Sequence, residues 1–122
     1  MSKKEVERIF EMEIKSNKSG DKTIAYIFGE IDHHNAKTAR ERLDVIIEEE
    51  QPVTFGLDLS GVSFCDSSGL GLVMGRMRKC LSVGSTLIII DPSPAAHRIL
   101  EIAGMDKILK IERGNNNEGQ SC

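Results

Sequence analysis

The sequence predicts an α/β protein: a single domain with one mixed β-sheet of about five strands, packed with about three helices in the order β-β-α-β-α-β-α-β. Three observations carry this prediction. Strand-period and helix-period stretches alternate from Gly29 onward. Thr86-Leu87-Ile88-Ile89-Ile90 is a continuous apolar run, which suits a central strand buried on both faces. The first two strand signals follow one another across Ser16-Asn17-Lys18-Ser19-Gly20-Asp21 with no helix between them, which gives an otherwise parallel sheet its mixed character.

Each element has a local reason. Met1 to Glu7 is charged and expected to fray at its start. Ile9, Met12 and Ile14 then suggest a strand with imperfect alternation. In Thr23 to Phe28, Ile24, Tyr26 and Phe28 share one face, and Ala25 and Ile27 the other. Gly29-Glu30-Ile31-Asp32-His33-His34 leads into a helix running to about Glu50, with Ala36, Ala39, Leu43, Ile46 and Ile47 on one stripe. Its cap is Asp32, His34 or Asn35, and Pro52 closes the pattern. Val53, Phe55, Leu57 and Leu59 alternate with Thr54, Gly56 and Asp58 as a strand, and Ser60 to Asp66 reads as its connection to the next helix. That helix runs from Ser67 to about Leu81, and Gly84 separates it from the apolar run. Ser93-Pro94 is a cap followed by proline at the first helical position, with Ala95, Ala96, Ile99, Leu100 and Ala103 as the stripe and Gly104 as the stop. Ile108 to Ile111 is a short last strand. The domain is expected to span 1–113, with 114–122 a polar, disordered tail.

Composition excludes several functions. A length of 122 residues supports one core. A net charge of −3 gives no general electrostatic reason to bind nucleic acid, and one Tyr, four Phe and no Trp leave few platforms for stacking bases. No apolar run approaches the ~20 residues that span a bilayer, so no membrane contact is expected, and no export signal is seen. Cys65, Cys80 and Cys122 lack CxxC spacing, which reads as reduced thiols in a cytoplasmic protein and speaks against a zinc site. His33 and His34 are adjacent, not i,i+4 partners, so loop packing is expected of them and metal binding is not. No cofactor is called for.

The chemistry concentrates in Phe64-Cys65-Asp66-Ser67-Ser68-Gly69-Leu70-Gly71, between a strand and an amphipathic helix. Two hydroxyls stand at a helix N-terminus, where free N–H groups and the helix dipole favour a phosphate. The same residues also read as no more than a good helix start, with Asp66 as N-cap. Projected at ~100° per residue, Leu70, Val73, Met74, Met77, Cys80 and Leu81 form the expected core arc. Ser68, Gly71, Leu72, Gly75, Arg76 and Lys79 form the opposite arc, with Ser67 at the rim. An apolar Leu72 between Gly71 and Gly75, each costing ~1 kcal/mol of helix stability relative to Ala, marks this outward arc as a candidate docking spot beside incidental exposure.

The octapeptide from Phe64 to Gly71 resembles the phosphorylation-site signature of bacterial anti-sigma factor antagonists, the STAS-domain family. Gly29-Glu30-Ile31-Asp32-His33-His34-Asn35-Ala36 resembles that family's first motif block, and Pro92-Ser93-Pro94-Ala95 with Gly104-Met105 its third helix and end. The resemblance covers about Ile9 to Glu112 and is nearest the sporulation-type antagonists. It implies a non-enzymatic regulator whose unphosphorylated form binds an anti-sigma factor that is also a serine kinase, releasing the sigma factor. The kinase uses ATP to phosphorylate the first serine after the aspartate, here Ser67, and the complex dissociates. A PP2C-type phosphatase restores the active form. Asp32, Asp66, Ser68 and Gly69 are then expected around the phosphosite, and Gly71, Leu72, Gly75, Arg76 and Lys79 against the partner. A STAS partner-switching protein acting on a kinase with a non-sigma target is the alternative. Two positions depart from the family: Cys65 replaces an aliphatic or Met residue, and Gly114-Asn115-Asn116-Asn117 stands where a C-terminal helix often continues. A serine hydrolase would need a GxSxG or Ser–His–acid arrangement, and a phospho-aspartate receiver an early acidic pair for Mg²⁺. Neither is found in the sequence.

Overall fold

A computed structural model describes residues 12–114. Five strands build one sheet in the spatial order β1-β2-β3-β4-β5: Met12–Ser19, Lys22–Ile31, Thr54–Cys65, Thr86–Ile90 and Lys110–Glu112. β1 pairs antiparallel with β2 across the turn at Gly20, and every later pairing is parallel. The helices are α1 (Ala36–Glu50), α2 (Ser67–Ser82) and α3 (Pro94–Ile102), and a 3₁₀ turn at Met105–Lys107, not foreseen from the sequence, precedes β5. The predicted order of strands and helices is the observed one. The start expected for the first strand at Ile9 and the tail beyond Gly114 lie outside the described residues.

Because each parallel strand joins the sheet on the same side of its predecessor, right-handed crossovers put all three helices on one face. Burial agrees. Ala25 and Ile27 on β2, Phe55 and Leu57 on β3, and Leu87 and Ile89 on β4 share one buried cluster with Ala39, Leu43 and Ile47 of α1 and Ala96 and Leu100 of α3. Ile88 and Ile90 point the other way and fall outside that cluster. On that second face Phe28 is 39% exposed and Phe64 49% exposed.

One boundary differs from the sequence reading in a way that shapes the site. Ser60 to Cys65, expected as a connection, continues β3. Asp58 Oδ1 accepts from both the N–H and the hydroxyl of Ser60, a local loop-like signal that the sheet overrides. Two register shifts against β2 place extra residues in β3 and carry Cys65 into register with Ile31. Both strands therefore end side by side, and their following segments start together.

Candidate functional site

The two segments that leave those strand ends hold the motif residues. Asp66 N–H donates to Ile31 O at 3.2 Å, which fixes the start of α2 to the end of β2. Asp66 is the N-cap, as the sequence predicts: its Oδ1 accepts from Ser68 N–H at 2.8 Å, and its carbonyl from Gly69 N–H at 2.9 Å. Ser68 is thereby half-buried with its backbone committed to the cap. Ser67 is exposed at the first helical position, and its hydroxyl makes no hydrogen bond among the described residues.

Gly69 is buried, and its lack of a side chain lets the helix start reach the sheet. A Cβ there would stand 2.2 Å from Cys65 Sγ. Cys65 thus lies beneath the start of α2, and burial, with a smaller contribution from the Asp66 carboxylate, pushes its thiol pKa up to about 11. Cys65 and Cys80 are both free thiols, and Cys122 lies outside the described residues.

Asp32 begins the neighbouring turn. Its Oδ1 accepts from His34 N–H at 2.9 Å and Asn35 N–H at 3.1 Å, while Asn35 Oδ1 accepts from Asp32 N–H at 3.0 Å. Asn35 Nδ2 donates to Glu30 O at 2.7 Å, so the turn is locked onto the end of β2. Asp32 therefore organises the turn before α1, and Asn35 occupies the N-cap position without a side-chain cap bond. His33 and His34 are exposed, with ring centroids 4.0 Å apart in that turn.

The face assigned to α2 needs correction. Leu72 is 4% exposed and Arg76 5% exposed, so neither belongs to an outward arc. The buried stripe is Gly69, Leu72, Val73, Arg76 and Cys80. Leu70, Met74 and Met77 are only half-buried, and Leu81 is 69% exposed. The helix is rotated by roughly a quarter turn from the predicted orientation, at ~100° per residue. Arg76 misled the projection because it is charged and yet buried: its Nε lies 2.9 Å from Asp44 Oδ1 of α1, close enough for an ion pair though not aligned for a hydrogen bond. Burial lowers the Arg76 pKa, with Asp44 opposing and Arg40 adding to the shift. Lys79 pairs with Glu48 of the same neighbouring helix. Gly71 and Gly75 have open space at the Cβ position, so nothing within the described chain requires them to be glycine.

Between the first turns of α1 and α2 lies a groove of about 300 Å³, lined by Ala36, Lys37, Arg40, Ser68, Gly71, Leu72 and Arg76. Lys37 and Arg40 were not singled out from the sequence. Their only sequence signal is three-residue spacing, which puts two cations on one helix face. No group of three or more His, Cys, Asp or Glu able to hold a metal occurs among the described residues.

Residues 5–116 match the family model described as the STAS domain. An anti-sigma F factor antagonist of Lysinibacillus sphaericus is 38% identical over 79 residues, covering 65% of this chain and 68% of that protein. The chain belongs to the STAS-domain family of anti-sigma factor antagonists. The anti-sigma F factor antagonist of Paenibacillus polymyxa is 35% identical over 88 residues, covering 72% of this chain and 75% of its own. The anti-sigma-B factor antagonist of Listeria monocytogenes is 32% identical over 95 residues, covering 78% and 80%. The solved anti-sigma factor antagonist SpoIIAA in its unphosphorylated form superposes with a TM-score of 0.71 at 27% identity, covering 88% of this chain and 92% of that one. The phosphorylated form of the Bacillus cell fate determinant SpoIIAA gives 0.66 at 26%, covering 89% and 97%. These likenesses bear out the five-stranded mixed sheet and the resemblance drawn from the two motif blocks. No helix among the described residues of this STAS domain is long and apolar enough to cross a membrane.

Proposed function

We propose that this STAS domain is a phosphorylation-controlled anti-sigma factor antagonist: the unphosphorylated chain binds an anti-sigma factor that is also a serine kinase, and phosphorylation of Ser67 ends the contact. The observation that carries the reading is the asymmetry of the two serines. Ser67 presents an exposed hydroxyl, unbonded among the described residues, at the first turn of α2, whereas Ser68 is half-buried with its backbone tied to Asp66. The relatives' names and a solved relative with phosphorylated and unphosphorylated forms support it. The anti-sigma F antagonists, at 38% and 35% identity against 32% for the sigma-B antagonist, favour the sporulation-type partner. The chain is a regulator rather than an enzyme, works in the cytoplasm, and is returned to its active form by a PP2C-type phosphatase.

Phosphate on Ser67 adds about −1.5 to −2 charges at pH 7. It does so at a helix N-terminus, where the dipole favours it, so the fold is left in place and the effect falls on the partner. A loss of ~3 kcal/mol at the interface weakens binding more than a hundredfold. With Leu72 and Arg76 buried, the outward surface next to Ser67 is Gly71, Met74, Arg78 and Leu81 with the flanks Gly75 and Lys79. The test mixes the chain with an anti-sigma factor serine kinase from the same organism and ATP, then maps the phosphate by mass spectrometry. Phosphate on Ser67 is expected, with Ser67→Ala binding like wild type and Ser67→Asp more than tenfold weaker. Phosphate on Ser68 alone, or wild-type affinity for Ser67→Asp, would sink the reading.

A further inference from the structure

The groove between α1 and α2 carries more positive charge than the fold uses. Arg76 lies 95% out of solvent, yet its Nη1 finds no hydrogen-bond partner among the described residues. Asp44 is its one ion-pair partner among the described residues, and Arg40 and Arg78 add like charge nearby. Lys37 and Arg40 at the exposed rim make no ion pair among the described residues. A buried donor left open normally costs free energy unless something fills it. Ser68 and Gly71 form the opposite wall, and the open space above Gly71 lets another chain's backbone come close. Leu72 supplies an apolar base.

We infer that this groove receives an acidic side chain of the docked anti-sigma partner, its carboxylate held by Lys37 and Arg40 and facing Arg76, and that phosphate on Ser67 acts by competing for these cations. The inference rests on the antagonist reading above and adds the contact through which the switch works. Ser67 precedes the groove-lining Ser68, so its phosphate brings the occupant's own sign of charge to the edge of the same site. Phosphorylation then weakens docking without moving the helix.

The test measures affinity of the full chain for that kinase by calorimetry at 50 mM and 300 mM salt. Lys37→Gln and Arg40→Gln are exposed changes that leave folding intact, as melting curves verify. Each is expected to weaken binding about tenfold at low salt and to flatten the salt dependence. Arg98→Gln, an equal charge change on exposed α3, is expected to bind like wild type. In the phosphorylated chain the Lys37 and Arg40 changes are expected to lose most of their effect, because the phosphate already opposes those charges. Wild-type affinity for the double variant overturns the inference while leaving the antagonist reading intact. No binding by the wild-type chain overturns both. Sodium phosphate serves as a separate probe: shifts of the Ser68 and Gly71 amides that vanish in the double variant, with kinase affinity unchanged, identify a free-anion site and overturn the assignment to a partner side chain.

Discussion

Gly69 has no room for a methyl group, and this one contact ties the start of α2 to the sheet. A Cβ at Gly69 would stand 2.2 Å from Cys65 Sγ, whose own position is set by pairing with Ile31. Gly69→Ala is expected to destabilise the domain by about 2 kcal/mol, overpacking outweighing the ~1 kcal/mol that Ala gains over Gly in a helix. Cys65→Ala in the same chain should recover most of that loss in urea unfolding. Burial also keeps both thiols protonated. The pKa of Cys65 and of Cys80 is pushed up to about 11 from 9.0, so each holds roughly a hundredfold less thiolate at pH 8 than in the unfolded chain. Iodoacetamide at pH 8, read by peptide mapping, should modify Cys65 and Cys80 far more slowly in the native chain than in urea. The folded state binds the extra proton, so these groups contribute stability below pH 9 that is lost as pH rises through 11. Denaturant midpoints should fall across that window.

At the scale of the element, α2 shows how a sequence conceals its own orientation. Its capping residue, start and approximate end were all legible, because Asp66, the following glycine and the terminal Gly84 act locally. Which side faces the core was not. Leu70, Met74, Met77 and Leu81 form the more apolar stripe, yet the core holds Leu72 and Arg76, since Arg76 finds Asp44 on α1 and Gly69 has to meet the sheet. A partner on another element decides whether a charge is buried, and no window on one helix contains that partner. Leu72→Ala is therefore expected to cost about 2–5 kcal/mol, against a change within about 0.5 kcal/mol for Leu81→Ala. Equal effects of the two would return the helix to its predicted orientation. Arg76→Ala is expected to cost about 2–4 kcal/mol, below the fully buried range because Asp44 keeps part of its surface in water.

Across the whole molecule, three helices on one sheet face leave Ser67, the proposed phosphoacceptor, at one end of the sheet, beside the turn that follows β2. A charge added there meets a helix N-terminus instead of the core, so the switch is expected to act without rearrangement. The melting temperatures of the phosphorylated and unphosphorylated chains should agree within about 2 °C, less than 1 kcal/mol for a domain of this size. Amide shifts should stay near Ser67 and the Asp32 turn. Shifts spread through β4 and α3 would contradict an interface switch. The sequence by itself determined the order of strands and helices, the apolar central strand, the caps of α2 and α3 and the two motif blocks, because periodicity, turn chemistry and capping are short-range properties. Tertiary structure alone decided three things. It extended β3 through two register shifts so that Ile31 and Cys65 pair, it turned α2 to bury Arg76, and it gathered Lys37 and Arg40 beside Ser68 in one groove. Each depends on a pairing between residues far apart in the chain, set by the close packing of one element on another.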